Sequence, residues 1–172
     1  MKVYVASPLG FSEAGRAFYR QRLLPVLRRA RHTVLDPWTS SEGARIARAR
    51  RRPYGRARRD ALAVANAAAA RANQRAIDRA DALVAVLDGT DVDSGTAAEI
   101  GYAFARGTPI VGYRGDVRPA GDNEGARVNL QVEHFIRASG GTIVTRLADV
   151  PRALSGVRRR PSGGSSSSRS PR

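Results

Sequence analysis

The sequence has 172 residues, of which 42% are hydrophobic, and a formal net charge of +15, which together predict one globular domain with a single core. No apolar run approaches the roughly 20 residues that cross a bilayer, and the strand-like N-terminus is too short for a secretory signal, so we expect a cytoplasmic protein without membrane partners. The absence of cysteine excludes disulfides and thiolate metal sites, and only two histidines are present, so we expect chemistry that needs neither metal nor cofactor.

The N-terminal sequence predicts a strand followed by a helix. Residues 2–6, KVYVA, form a short apolar run that ends at a serine and a proline, which is typical of a strand. Ser12 is the expected N-cap of the following helix, and Pro25 should kink or segment it, because proline lacks the N–H that an α-helix needs. The apolar positions of that helix include Ala17, Leu24 and Leu27.

The next segment combines a second strand, a loop and a long helix. Residues 32–37 predict the strand, and residues 39–44 predict a polar loop. An arginine-rich stretch follows, with eight arginines and no acid across residues 45–59. Alanine and arginine then favour a long helix over residues 57–81.

The second half of the chain alternates strands and helices. Its clearest element is the continuous apolar run 82–89, which predicts a buried strand ended by Asp-Gly. Gly107 should close the next helix, since glycine favours the left-handed conformation found after helix C-termini. The remaining predictions are a helix over 96–106, a strand over 109–114, a helix over 128–139, a strand over 141–145 and a last helical turn over 147–154.

This alternation predicts βαβ units, and therefore a parallel sheet covered by helices on both faces. Residues 1–156 are expected to form this domain, while the Arg/Ser-rich residues 157–172 are expected to be a disordered tail that buries no core. Parallel sheets bind ligands at the carboxyl ends of their strands. The candidate site is therefore formed by the loops over residues 7–12, 36–41, 88–96 and 114–129.

The stretch over residues 87–101, LDGTDVDSGTAAEIG, runs from the end of a predicted strand into a predicted helix and carries the acidic side chains of that site. Three aspartates fall within six residues, and Glu99 follows them. Thr96 and Glu99 have the spacing of a capping box, which closes the start of a helix. A carboxylate pair also suits glycosidic chemistry, and the first turn of a helix favours an ionised carboxylate. From the residues alone, Glu99 is a helix cap or a reactive carboxylate, and Asp93 is a capping residue or its partner.

The segment ADALVAVLDGTDVDSGTAAEIGYAFARGTPIVGYRGDVR strongly resembles nucleoside 2-deoxyribosyltransferases, whose signature is a strand, an acidic loop, the motif D-S-G-T-x-x-E-x-G-Y-A and a G-x-P strand. VYVASPLGF near the N-terminus and the later VNL are similar to that family too. The resemblance covers residues 2–154, with a divergent stretch over 38–60. It implies a flavodoxin-like, doubly wound, five-stranded parallel sheet with helices on both faces.

The resemblance also implies transfer of a 2-deoxyribosyl group between nucleobases. The donor would be a 2′-deoxynucleoside and the acceptor a free nucleobase. Glu99 matches the family's nucleophile, which displaces the base and forms a covalent deoxyribosyl-enzyme. Asp93 matches the aspartate that holds the sugar hydroxyls, and Tyr4 matches a tyrosine that orients the nucleophile.

The substrate-binding residues follow from the same resemblance. Asn129 matches an asparagine that reaches the sugar from a neighbouring subunit, so a homo-oligomer with shared active sites is expected. Ser94 and Gly95 of the motif should lie beside the substrate. Asn73 occupies a position where some members carry an aspartate concerned with the base and its proton, which leaves the general acid open.

Three alternatives remain at this point. Water can intercept the covalent intermediate, so hydrolysis of deoxynucleosides is the first. The second alternative is hydrolysis of deoxynucleoside 5′-monophosphates, but relatives with that activity tend to carry serine where Asp93 stands. At an effective dielectric of about 20, a carboxylate and a phosphate charge about 4 Å apart repel each other by about 4 kcal/mol. Asp93 therefore favours a substrate with a free 5′-hydroxyl. Thirdly, the arginines could bind nucleic acid, which is disfavoured because few aromatic residues lie among them.

Overall fold

The computed structural model describes residues 1–39 and 41–158. Its centre is one parallel sheet with the strand order β2-β1-β3-β4-β5. This order is flavodoxin-like, so the predicted fold is confirmed. The strands are β1 (Lys2–Ala6), β2 (Thr33–Leu35), β3 (Ala82–Val86), β4 (Ile110–Tyr113) and β5 (Ile143–Val144).

Helices connect these strands and cover both faces of the sheet. Short 3₁₀ turns at Leu9–Phe11, Pro37–Thr39 and Leu147–Asp149 complete the connections. The helices are α1 (Glu13–Phe18), α2 (Leu24–Arg29), α3 (Ser41–Arg50), α4 (Arg56–Asp78), α5 (Ser94–Ala105), α6 (Leu130–Ala138) and α7 (Val150–Ser155).

Two apolar clusters form the core, one on each face of the sheet. Alternate residues of a strand point to opposite faces, so Tyr4 enters one cluster and its neighbour Val3 enters the other. The first cluster packs under α4, α5 and α6, through residues such as Ile100. The second packs under α1, α2 and α7, and it includes Val157, which the sequence placed in the tail. The rest of that predicted tail, residues 159–172, lies outside the described residues.

The first helix is divided by a π-helical segment, Tyr19–Leu23, between α1 and α2. Ser12 caps α1 as predicted, because its Oγ accepts a hydrogen bond from the Gly15 N–H (3.0 Å). The predicted break near Pro25 is also found. Of the apolar positions named for this helix, Leu24 and Leu27 are buried, whereas Ala17 is exposed.

The spacing of the buried residues accounts for the π-helical segment. Gly15, Tyr19, Leu23 and Leu27 are all buried and lie four residues apart. In an α-helix, each four-residue step rotates a side chain about 40° away from the preceding one. A π-turn contains more residues than an α-turn, so the segment removes part of this rotation and keeps the side chains on one face.

Helix α3 replaces the predicted polar loop and part of the arginine-rich stretch. It packs against α4 and buries Ala49, with Ile46 half-buried beside it. The prediction of a loop over 39–44 is therefore wrong. Only these two apolar side chains anchor the helix among arginines, so its hydrophobic periodicity is weak, although alanine and arginine both favour a helix.

No helix in the described part of the chain has the length and apolar character that a membrane span requires.

Candidate active site

A cavity of about 370 Å³ opens at the carboxyl ends of β1, β2 and β3. This volume lies in the range of small-molecule sites. Three of the four predicted loops line it, while α3 and α4 form its remaining walls. Among the described residues, none from the loop over residues 114–129 lines this cavity. The lining residues are Ser7, Phe11, Pro37, Trp38, Gly43, Ile46, Arg50, Asn66, Ala69, Asn73, Asp93, Gly95, Thr96 and Glu99.

Glu99 lies on α5 and is held by residues from two other elements. The Tyr4 hydroxyl, on β1, donates a hydrogen bond to Oε1 of Glu99 (2.6 Å). The side-chain amide of Asn73, on α4, donates to the same oxygen (3.3 Å). Tyr4 is fully buried under the first core cluster, so its hydroxyl is a fixed donor. Three separate parts of the sequence thus fix one carboxylate at the cavity wall.

The charge of Glu99 is tuned by its surroundings. Burial raises the pKa of Glu99 to about 7, although the hydrogen bonds from Tyr4 and Asn73 lower it, and the nearby charge of Asp93 raises it further. The pKa of Tyr4 is raised well above its usual range, first by burial and then by the charge of Glu99. Tyr4 therefore keeps its proton and remains a donor at every physiological pH.

The predicted capping box is wrong. Asp93 is the N-cap of α5, and its Oδ2 accepts hydrogen bonds from the Thr96 N–H (2.9 Å) and the Thr96 hydroxyl (3.1 Å). The helix begins two residues earlier than predicted, because aspartate is a stronger N-cap than threonine. Glu99 falls in the second turn and caps nothing. The helix dipole is weaker there, and burial decides its pKa.

The remaining predicted site residues are divided between the cavity and the surface. Asn73 and Gly95 line the cavity, whereas Ser94 begins α5 on an exposed surface and does not. Asn129 is the N-cap of α6. Its Oδ1 accepts hydrogen bonds from the Gln131 and Val132 N–H groups (3.1 and 3.3 Å), and it does not line this subunit's cavity.

The acidic loop after β3 is tied to the loop after β4. Asp88 accepts hydrogen bonds from the N–H groups of Gly115 (2.7 Å) and Asp116 (2.9 Å). The buried Arg114 guanidinium donates to the carbonyls of Leu87, Gly89 and Arg118. Asp88 thus links the loop after β3 to the loop after β4. These contacts position the start of α5, and with it Asp93 and Glu99.

Sequence reasoning named none of four cavity residues, although two of them, Phe11 and Trp38, lie in loops that were predicted to form the site. Phe11 and Trp38 form an edge-to-face aromatic pair with ring centroids 4.8 Å apart. Arg50 of α3 and Asn66 of α4 line the wall farther along α4 from Asn73. The signal available was the helical propensity of residues 44–50, which would have placed Ile46 and Arg50 on one face of a helix.

Comparison with known proteins decides the family. The sequence profile of the nucleoside 2-deoxyribosyltransferase family matches residues 3–131. The chain belongs to this family. The matched range contains Tyr4, Asn73, Asp93, Glu99 and Asn129, and the members of the nucleoside 2-deoxyribosyltransferase family are nucleoside-processing enzymes. Curated protein sequences give no significant match.

Solved structures share the fold over nearly the whole chain. A conserved protein from Enterococcus faecalis V583 is 26% identical over 90% of this chain and 97% of its own, with a TM-score of 0.62. The 2-deoxyribosyltransferase from Bacillus psychrosaccharolyticus is 20% identical over 94% and 100%, with a TM-score of 0.60. The CMP N-glycosidase BcmB from Clostridium botulinum is 17% identical over 90% and 98%, with a TM-score of 0.51. Nucleoside 2-deoxyribosyltransferases and an N-glycosidase therefore share this architecture.

In residues 1–39 and 41–158, histidine and carboxylate side chains form no group of three placed to hold a metal ion. The polar side chains that line the cavity include the carboxylates of Glu99 and Asp93, the guanidinium of Arg50, two asparagine amides and two hydroxyls. Such a set supports chemistry at a sugar carbon by carboxylates.

Proposed function

We propose that this protein transfers a 2-deoxyribosyl group from a 2′-deoxynucleoside to a free nucleobase by double displacement. The observation that carries the proposal is the Glu99 carboxylate, partly buried at the cavity wall and held by Tyr4 and Asn73. A nucleophilic carboxylate must be fixed in orientation and must ionise near the working pH. Glu99 meets both requirements.

In the first displacement, an oxygen of Glu99 attacks the anomeric carbon of the donor. Both hydrogen bonds fall on Oε1, so among the described residues Oε2 keeps its lone pairs free for attack. The C–O bond forms as the N-glycosidic bond breaks, and the base leaves with the electron pair of that bond. In the second displacement, a nitrogen of the acceptor base attacks the same carbon and the bond to Glu99 breaks. The Glu99 carboxylate is released, and the acceptor base gives up its N–H proton to water.

The neighbours of Glu99 take supporting roles in this proposal. Asp93 lines the cavity beside Glu99, and its carboxylate is suited to accept hydrogen bonds from sugar hydroxyls. Asn73 is an amide, which donates a hydrogen bond but transfers no proton. The proton taken up by the departing base therefore comes from water in the open cavity.

Hydrolysis is the second candidate function. It uses the same covalent intermediate, with water in place of the acceptor base. The shared fold with the CMP N-glycosidase from Clostridium botulinum supports it. For a substrate with a 5′-phosphate, however, Asp93 would repel the phosphate charge. We therefore place free nucleosides before nucleotides as substrates.

The proposal also includes a homo-oligomer. Asn129 does not reach the cavity of its own subunit and lies at the N-terminus of α6 beside the exposed Leu130. In the proposed assembly, Asn129 of one subunit contacts the sugar bound to the next. Each active site is then complete only in the oligomer.

The experiment incubates the protein with deoxyinosine or thymidine, with and without added adenine or cytosine, and separates the products by chromatography. Transfer produces a new deoxynucleoside only when an acceptor base is present. Free base without an acceptor indicates hydrolysis. The absence of both products contradicts the proposal. Glu99→Ala should abolish both activities with an unchanged circular dichroism spectrum, and near-normal turnover of that variant would remove Glu99 from the mechanism.

A further inference from the structure

The cavity is lined by carboxylates and by an arginine. Glu99 and Asp93 supply the carboxylates, and Asn73 donates a hydrogen bond to Glu99 (3.3 Å). Asn66 lies on the same wall of α4, seven residues before Asn73. Seven residues of α-helix span about 10 Å, which is two turns on one face. The cavity therefore extends along α4 away from the carboxylates, and α3 forms its wall beyond them.

Arg50 is the basic residue of this cavity. It stands at the C-terminal end of α3, and it is the one arginine or lysine among the described residues that line the cavity. In the described chain, its guanidinium has neither a carboxylate partner nor a hydrogen bond. Other arginines of α3 differ from it: Arg45 pairs with Glu42 (3.5 Å), and Arg48 lines a separate groove. Arg50 thus presents free donors to whatever occupies the cavity.

The positions of the charged side chains favour one orientation of a nucleoside in the cavity. With its anomeric carbon at Glu99 and its sugar hydroxyls at Asp93, the base extends along the cavity, past Phe11 and Trp38. Two helical turns correspond to the distance from the attacking carboxylate, through the anomeric carbon, to the far edge of a purine. The edge of the base that faces away from the sugar then meets Arg50 and Asn66.

We propose that Arg50 selects nucleobases whose far edge presents hydrogen-bond acceptors, and in particular 6-oxopurines. This inference rests on the proposed function and names its substrate class. A guanidinium has only donors, in a planar fork that binds the O6 and N7 acceptors of a 6-oxopurine together. Adenine offers N7 but places an amino group where O6 would be, so one donor of Arg50 is left opposite another donor.

Asn66 does not impose the same choice. Its side-chain amide has both a donor and an acceptor, and it can accept from N1–H of a 6-oxopurine or donate to N1 of adenine. Selection therefore belongs to Arg50. The positive charge also compensates for the missing acid at Asn73. As the base departs, it carries away the electron pair of the glycosidic bond, and a cation at O6 and N7 stabilises the negative charge that develops there.

The test compares binding of free hypoxanthine and free adenine by titration calorimetry. The proteins are the unmodified chain, Arg50→Ala, Arg50→Lys and Arg48→Ala. Hypoxanthine should bind the unmodified chain about 10- to 100-fold more tightly than adenine, the discrimination expected of a good bidentate contact. In Arg50→Ala, the affinities for hypoxanthine and adenine should differ by no more than a few-fold. Arg50→Lys should keep only part of the preference for hypoxanthine, because an ammonium lacks the planar pair of N–H donors of a guanidinium. Arg48→Ala is the matched control and should keep all of it.

Equal binding of the two bases by the unmodified chain overturns the inference, as does an unchanged preference in Arg50→Ala. Because binding of free bases needs no turnover, the result stands whether or not the proposed transfer occurs. A parallel assay of deoxyinosine and deoxyadenosine turnover tests that function separately. If Arg50→Ala instead loses only turnover of deoxynucleoside 5′-monophosphates, Arg50 holds a phosphate and the selection of 6-oxopurines is wrong.

Discussion

Opposing influences set the charge of Glu99. Burial and the charge of Asp93 favour the protonated form, whereas the hydrogen bonds from Tyr4 and Asn73 favour the carboxylate. Burial is the largest of these, and the pKa settles at about 7. A weaker base at this position would be a poorer nucleophile, and a more basic carboxylate would be protonated in the cell. The balance leaves Glu99 about half ionised at neutral pH.

The pH profile of the enzyme should report this balance. Because attack requires the ionised carboxylate, kcat/KM should rise with pH and level off above about 7. Tyr4→Phe removes a hydrogen bond that lowers the pKa of Glu99, so the rising limb should move to higher pH. Tyr19→Phe is the matched control, because that buried hydroxyl donates to Asp36 (2.8 Å) and leaves Glu99 alone. Profiles that coincide for Tyr4→Phe and the unmodified enzyme would contradict the assignment.

The same carboxylate should lower the stability of the fold at high pH. The pKa of Glu99 is 4.5 in an exposed chain and about 7 in the fold, so its ionisation costs about 3 kcal/mol of folding free energy above pH 7. Below pH 4.5 both states are protonated and the cost vanishes. Between these values, stability falls as pH rises.

Glu99→Gln cannot ionise, and it should therefore be more stable than the unmodified protein at pH 8 and nearly equal to it at pH 4. Denaturant unfolding at the two pH values measures the difference. The exposed Glu124→Gln should show no such pH dependence. If Glu99→Gln is instead less stable than the unmodified protein at pH 8, the prediction is wrong. The weakened hydrogen bonds with Tyr4 and Asn73 would then cost more free energy than removal of the buried charge gains.

Asp93, at the start of α5, has a structural role and a proposed chemical role. Its carboxylate caps the helix through Thr96 and also lines the cavity. Asparagine caps a helix about as well as aspartate, whereas alanine does not. Asp93→Ala should lose about 1 kcal/mol, which lowers the melting temperature by about 2–4 °C in a domain of this size. Asp93→Asn should melt close to the unmodified protein.

Turnover separates the two roles of Asp93. If its carboxylate holds the sugar hydroxyls, both variants should lose activity by a similar factor. Full turnover in Asp93→Asn would reduce the residue to a helix cap. The comparison is informative because Asp93→Asn preserves the helix start that positions Glu99.

The sequence predicts the strands and helices better than it predicts the surroundings of Glu99. The order of strands and helices follows from local apolar runs, and Gly107 does end α5 in the left-handed conformation (φ 67°). Helix α3 was missed because its buried face consists of Ile46 and Ala49 alone. The environment of Glu99 could not be predicted from spacing, since Tyr4 and Glu99 are 95 residues apart and meet only in the folded sheet. The pKa of Glu99 depends on that burial.

At the scale of the whole molecule, positive charge lies mostly outside the cavity. Arg45, Arg48 and Arg52 line a separate groove between α3 and α4, where Asp60 is the acidic side chain. Nucleic-acid binding by these arginines stays a prediction. The cavity itself carries two carboxylates and one arginine, so its local charge is opposite in sign to that of the chain.

The proposed sharing of active sites between subunits makes a prediction for the assembled protein. Asn129→Ser keeps an oxygen that can cap α6 but is too short to reach a neighbouring sugar. Alone, Asn129→Ser and Glu99→Ala should each be inactive or nearly so. Mixed and reassembled, they should regain part of the normal activity, because some sites combine an intact Glu99 with an intact Asn129 from another subunit. No recovery after confirmed subunit exchange would place Asn129 outside the site.

The π-helical segment Tyr19–Leu23 has a consequence for comparing this protein with its relatives. The segment acts as a one-residue insertion that keeps the inward face in phase, and it places the Tyr19 hydroxyl on Asp36, whose carboxylate also accepts the Trp38 N–H (2.9 Å). A relative with an uninterrupted α-helix here should be one residue shorter. Its sequence alignment with this chain therefore needs a gap between α1 and α2, and an ungapped alignment would pair every buried residue before that point with the wrong neighbour.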